Sequence, residues 1–188
     1  MEVPALREAG FVVAAVNDRL APQAHFPAMI EDVKCAAVRF LRAHAAGYHL
    51  DAAHIGVWGG SAGGYLAALL GTSDVSAGWD VGPYLEQPSW VQAVVVMFGP
   101  ADLPALFAHS TRPQGQRRLL LVFDAASPEG PVWVVASPVT YITPGDPPFL
   151  ILQGDQDKVV PPEQARRLYE RLQQAGVAAQ LVQLLLEV

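Results

Sequence analysis

The sequence predicts an α/β domain, with a mostly parallel sheet and helices on both faces. Two observations carry this reading. Short β-branched apolar runs alternate with segments of helical periodicity. Apolar residues make up 52% of the chain against 16% charged, a composition that builds a buried core. At 188 residues the chain is long enough for one such core and short for two, so residues 1–188 are read as a single domain.

The elements follow in order. Residues 2–9 read as the end of a helix, with Gly10 as its C-terminal stop. Residues 11–16 form a continuous apolar run, expected as a strand buried on both faces. A loop containing Pro22 and Pro27 leads to residues 28–46. There Ile30, Val33, Ala37 and Phe40 or Leu41 recur at helical spacing, and Gly47 ends the pattern. Residues 54–58 read as a strand and residues 62–70 as a helix stopped by Gly71. Further strands are expected at 91–98, 149–153 and 179–186. A helix at 162–175 has Pro162 at its start and Gly176 after its end. Between residues 101 and 141 the pattern dissolves into Pro, Gly and mixed residues. That stretch is long for a plain connection and is read as a lid or cap inserted over the strand ends.

Charge and cysteine usage exclude several classes. Net charge is −6, and the densest basic run, Arg117-Arg118, is too short for a phosphate-binding stripe, so no nucleic-acid partner is expected. No apolar run reaches the ~20 residues that span a bilayer, so no membrane partner is expected either. The single cysteine, Cys35, rules out an internal disulfide and a multi-cysteine zinc site; mid-helix in an apolar stretch, it reads as a small packed side chain. No His/Asp/Glu cluster has ligand spacing, so neither a metal nor another cofactor is expected.

The chemistry concentrates in Gly59-Gly60-Ser61-Ala62-Gly63. Gly-x-Ser-x-Gly alone is a weak signal. Here a strand runs into it and a helix leaves it, the setting in which a tight turn lifts a serine oxygen off a sheet. Glycines at 59 and 63 would remove Cβ atoms where strand and helix backbones approach. The helix N-terminus directs free N–H groups toward the serine, so the amide of Ala62 is a candidate oxyanion donor. An ordinary Gly-rich turn is the competing reading.

With its flanks, Gly56-Val57-Trp58-Gly59-Gly60-Ser61-Ala62-Gly63-Gly64 resembles the elbow of the small acetyl/feruloyl esterases, near the hormone-sensitive-lipase group of α/β-hydrolases. Arg19-Leu20-Ala21-Pro22 with Phe26-Pro27-Ala28, and Phe98-Gly99-Pro100-Ala101-Asp102-Leu103, resemble that family's loops. Gly154-Asp155-Gln156-Asp157-Lys158-Val159-Val160-Pro161 resembles its acid-bearing segment. The resemblance implies an α/β-hydrolase fold, a Ser-His-Asp mechanism on small acyl or aryl-acyl esters, Ser61 as nucleophile and Asp157 as the acid. Asp102, after the neighbouring strand, competes with Asp157. Asp155 is read as shaping the turn, and Asp51 and Asp32 as turn and helix-surface residues.

Three departures from the family pattern stand out. No His-Gly-Gly-Gly loop, the family's second source of oxyanion donors, is present. No histidine follows Asp157; His25 and His109 lie on loops at the correct face, His54 begins the elbow strand at the end away from Ser61, and His44 and His49 flank a helix end and read as solvated. Asn17-Asp18 stands where the family has Asp-Tyr. The resemblance therefore implies an incomplete fold, cut at both ends, with a gap in the sheet between residues 11–16 and the elbow strand. The chain is expected either to close that gap by pairing those two strands or to associate through it as a homo-oligomer. A non-catalytic remnant that binds a ligand is the alternative to an esterase.

Overall fold

The computed structural model describes residues 4–110 and 113–185. Its centre is a four-stranded parallel sheet in chain order: β1 (Gly56–Gly60), β2 (Ala93–Met97), β3 (Phe149–Gly154) and β4 (Ala179–Leu184). The register aligns Trp58 with Val95, Val96 with Ile151 and Ile151 with Leu181. Parallel neighbours need a crossover, and the helices α5 (Ala62–Thr72) and α9 (Pro162–Gln174) supply two of the three. Residue 186 of the last expected strand and residues 2–3 of the first expected helix lie outside the described residues. The remainder of that first helix is α1 (Pro4–Glu8), followed by Gly10 at φ +88°.

Val94, Val96, Phe149 and Ile151 share one face of the sheet and are all buried. Both α5 and α9 pack there: a Cβ on Gly71 of α5 would touch Val94 and Phe149, and Ala165, Leu168 and Leu172 of α9 join the same core. The opposite face carries Trp58, Val95, Met97, Leu150, Leu152 and Val182, every one only half-buried.

The expected strand at residues 11–16 does not form. Residues 11–20 have no regular structure, and Phe11 and Val12 are 61% and 66% exposed. The physical reason is the ladder. A strand exists through a paired neighbour, and among the described residues no backbone hydrogen bond joins this segment to β1. Residues 14–17 instead line a cleft of about 260 Å³ with Ala37, Phe40 and Leu41.

The expected helix over residues 28–46 is a broken run. It comprises α2 (Ala28–Asp32), a π-helical stretch Val33–Arg39, α3 (Phe40–Ala43) and α4 (Ala45–Tyr48). It ends at His49, which takes a left-handed conformation in place of the predicted Gly47. Three of its cations are buried: Lys34, Arg39 and Arg42. Together they pin residues 73–90. Lys34 pairs with Asp80 at 3.1 Å and donates to the carbonyl of Ser73, while Arg39 donates to the carbonyl of Val81. Arg42 donates to the carbonyls of Ala52, Pro88 and Trp90. Burial pulls the Lys34 ammonium below the usual lysine range, against the opposing pull of Asp80.

Among the described residues of 101–141 lie the helices α6 (Leu103–His109), α7 (Pro113–Val122) and α8 (Pro131–Val135) and a 3-10 turn, Pro138–Thr140. Phe107, Phe123 and Trp133 from this stretch are buried in the main core. Their rings pack edge to face or tilted, and Phe123 reaches Phe26 at 5.6 Å and Tyr65 of α5 at 6.0 Å between centroids.

Asp32 is more than a surface residue. Its carboxylate accepts from the backbone N–H and the guanidinium of Arg19, at 2.8 and 2.9 Å. That pair fastens the Arg19-Leu20-Ala21-Pro22 loop to α2. Burial alone would raise the Asp32 carboxyl, but the hydrogen bonds and charge of Arg19 outweigh it and hold it below the ordinary 3.8. A depressed carboxylate stabilises the fold above its unfolded value and loses that contribution as pH falls through its folded value. Thermal unfolding should therefore show wild type above Asp32→Asn at pH 6–7, with the gap closing below about pH 3.8. A gap that persists unchanged at pH 3 would refute the assignment.

Candidate active site

Ser61 sits between β1 and α5 with φ 54° and ψ −121°, a conformation that costs a non-glycine residue of order 1–3 kcal/mol. Two backbone bonds impose it. The Ser61 N–H donates to the carbonyl of Met97 at 2.9 Å, and the Ser61 carbonyl accepts from Tyr65 N–H at 3.0 Å. The side chain is exposed. Ala62 is the first residue of α5, so its N–H has no carbonyl partner within the helix and lies next to the serine.

The turn is tight at specific glycines. A Cβ on Gly59 would lie 2.2 Å from the carbonyl oxygen of Gly63, which no real Cβ tolerates. Gly63 itself faces open space at a helical position, so no missing Cβ is needed there, a correction to the sequence reading. The second close approach falls instead at Gly64 and Gly99: a Cβ on Gly99 would lie 2.7 Å from the backbone of Gly64. The Phe98-Gly99-Pro100 loop therefore presses directly on the first turn of α5. Gly60 makes room for the ring of Phe98, which takes φ 42° and stays 39% exposed beside the elbow.

Asp157 lies in the turn after β3. Its Oδ1 accepts from the N–H groups of Val159 (2.8 Å) and Val160 (3.0 Å). Its Oδ2 has only a long contact, 3.5 Å, from the amide of buried Gln153. One oxygen thus holds the turn while the other remains available to a donor. β1 and β3 flank β2, so the strand ends carrying Ser61 and Asp157 lie roughly 10 Å apart, too far for direct contact and suited to an intervening group.

Asp102 is otherwise employed. Its Oδ1 caps α6 through Ala105 N–H at 3.0 Å, and its Oδ2 pairs with Arg167 at 3.0 Å. Its backbone N–H donates to buried Gln164. Asp102 and Arg167 line a cleft of about 400 Å³ whose walls include neither Ser61 nor Asp157. Asp51 accepts from Ala53 N–H in a turn, as expected, and also pairs with His54. Asp155 donates its N–H to the Leu184 carbonyl.

None of the five histidines has a hydrogen bond to Ser61 or Asp157 among those of the described residues. His25 bonds the carbonyl of Leu121, His44 stacks on Phe40 at 4.2 Å, and His54 meets Asp51. His109 closes α6 rather than lying on a loop, and His49 is the left-handed cap of α4. No group of three metal-ligating side chains occurs among the described residues, and no helix there is long and apolar enough to cross a membrane. Gln153 and Gln164 escaped the sequence reading. A lone polar residue in an apolar strand, or on the apolar stripe of a helix, was the available signal.

A strained serine between a strand and a helix, at the C-terminal edge of a parallel sheet, is the arrangement of the α/β-hydrolases. Solved structures agree. The chain superposes on a truncated form of a carbohydrate esterase from gut microbiota with a TM-score of 0.77 at 31% identity, covering 91% of this chain and 64% of that one. It superposes on a bifunctional GH43-CE protein of Bacteroides eggerthii with a TM-score of 0.83 at 34% identity, covering 95% and 24%. The BD-FAE family model matches residues 1–172, and the chain belongs to that family. Among curated relatives, it is 33% identical to the probable carboxylic ester hydrolase LipM and 30% identical to the esterase LipQ, both of Mycobacterium tuberculosis, over 91% of this chain in each case. The chain spans about two fifths of the length of those relatives, 39% and 40%.

Proposed function

We propose that this chain carries the nucleophile and the acid of a carboxylic-ester hydrolase acting on small acyl or aryl-acyl esters. The observation that supports this best is the strained, exposed Ser61 beside the unpartnered N–H of Ala62. In this reading Ser61 Oγ attacks the ester carbonyl and the amide of Ala62 donates to the developing oxyanion. The alcohol leaves to give an acyl-enzyme, which water hydrolyses. Asp157 Oδ2 orients an imidazole that takes the serine proton and returns it to the leaving alcohol. That imidazole belongs between Ser61 and Asp157, a place that no histidine of this chain occupies in the structure. Gly59 and Gly60 hold the elbow, with Gly63 in the first helical turn after it. The helices between residues 101 and 141 serve as a cap over the strand ends. The ligand is a small-molecule ester, with no cofactor, nucleic acid or membrane required. The names of LipM and LipQ, as ester hydrolase and esterase, support the reaction class.

The unoccupied imidazole position favours one other reading, a ligand-binding derivative of the fold without turnover. A fluorophosphonate probe separates the two. Slow but stoichiometric labelling of wild type, lost in Ser61→Ala, is expected for a working nucleophile; a chain that takes no label at all would support the non-catalytic reading.

A further inference from the structure

β3 carries one polar side chain, Gln153, on the face that also bears Phe149 and Ile151. It is 1% exposed, buried as deeply as Ile151. Its Oε1 is buried and meets no donor. An unpaired amide oxygen in a core costs free energy that an apolar side chain would not. A strand covered on this face calls for an apolar residue here.

The other end of the amide gives the reason for a glutamine. Nε2 donates to the Val160 carbonyl at 3.1 Å and to the Gly154 carbonyl at 3.4 Å, and it reaches Asp157 Oδ2 at 3.5 Å. Asp157 Oδ1 in turn accepts from the N–H of Val160 at 3.0 Å. Val160 is therefore held at both ends, its N–H by Asp157 and its carbonyl by Gln153. The neighbours also fix which way the amide points. With Oε1 and Nε2 exchanged, an oxygen would face three acceptors.

We propose that Gln153 is a positioning residue for the acid: its amide holds the Asp157 carboxylate in one orientation, with Oδ2 presented to the imidazole that the reaction needs. The inference rests on the reading of Asp157 as that acid. Oδ1 is anchored by Val159 and Val160, but two bonds to one oxygen leave the other free to swing. The Gln153 contact opposes that swing. At 3.5 Å it is long enough for Oδ2 to keep a lone pair for a stronger donor. An acid that turns away by one rotamer no longer orients an imidazole. The unpaired Oε1 is the cost of placing a donor there.

NMR of isotopically labelled wild type and Gln153→Met, a side chain of similar volume without the donor, tests this. The three-bond couplings that report χ1 of Asp157 should show one rotamer in wild type and averaging in Gln153→Met. The backbone shifts of β1, β2 and α5 should be the same in both, which separates loss of orientation from loss of fold. A second measurement leaves Gln153 in place and so holds whether or not Gln153→Met folds. One side-chain N–H of Gln153 should resonate downfield in wild type and move upfield in Asp157→Asn, where the carboxylate charge is gone. A single Asp157 rotamer in Gln153→Met, or a Gln153 resonance indifferent to Asp157→Asn, would overturn the assignment. Neither measurement needs turnover. A chain that shows both effects but takes no fluorophosphonate label would overturn the ester reading and not the contact between Gln153 and Asp157.

Discussion

Gly59→Ala is expected to cost about 3–5 kcal/mol of folding stability, or to prevent accumulation of folded protein altogether. The new methyl group would lie 2.2 Å from the Gly63 carbonyl oxygen and 2.9 Å from the Gly64 nitrogen, all of it backbone. Side chains can yield by changing rotamer, but here relief requires moving α5 away from β1. α5 cannot move freely, because its first turn is also pressed by Gly99 and its far end is packed on Val94 and Phe149. Gly63→Ala is the matched control. It adds the same methyl group two residues after the serine, into open space and at a helical residue. It should be neutral or stabilising by up to about 1 kcal/mol. Urea unfolding of both variants measures the difference; equal losses would show that the elbow does not depend on the Gly59 contact.

Arg42→Ala should cost about 3–4 kcal/mol. Arg42 is 7% exposed; its guanidinium donates to the carbonyls of Ala52, Pro88 and Trp90 and lies 4.8 Å from the centroid of the Trp90 ring. Truncation leaves three part-buried carbonyls without this donor, and these bonds tie residue 52 and the lead into β2 to the helix. Arg42→Lys keeps the charge but loses the planar fork, and one ammonium cannot face three divergent carbonyls with the same geometry. It should recover less than half of the loss. Full recovery in urea unfolding by Arg42→Lys would mean that charge, and not donor geometry, matters.

The elements most legible in the sequence were those whose signals are local. The elbow strand, α5, β2, β3 and α9 were each announced by an apolar run or periodicity bounded by Gly or Pro, and each lies within about two residues of its expected place. Three things were not legible. Residues 11–16 have the composition of a strand, but a strand needs a neighbour that composition does not provide. The helices α6, α7 and α8 were hidden by their own prolines. Pro104, Pro113 and Pro131 stand in the first helical turn, where a missing N–H costs nothing, and were taken for loop residues. The burial of Lys34, Arg39 and Arg42 arises only when residues 73–90 fold back over the helix, a long-range event with no mark at the cations themselves.

The candidate site divides along the same line. The turn that carries Ser61 and Ala62 is readable because strand, turn and helix are contiguous. Spacing alone does not separate Asp157 from Asp102, since both follow strands; the family resemblance favours Asp157, and the structure adds a second ground for the proposed choice. It rests on which oxygen atoms are already taken: both oxygens of Asp102 are committed to α6 and Arg167, whereas Oδ2 of Asp157 has only the distant amide of Gln153.

The contact of Gly99 with Gly64 also has a mechanical meaning. With no side chain between them, the loop after β2 and the first turn of α5 are in backbone contact and behave as one solid piece. The serine and Phe98 are therefore carried on one unit. Residues 103–135 are attached to the core through side chains such as Phe107, Phe123 and Trp133. That attachment can yield by a rotamer change in one packed ring, whereas the backbone contact at the turn has no such freedom.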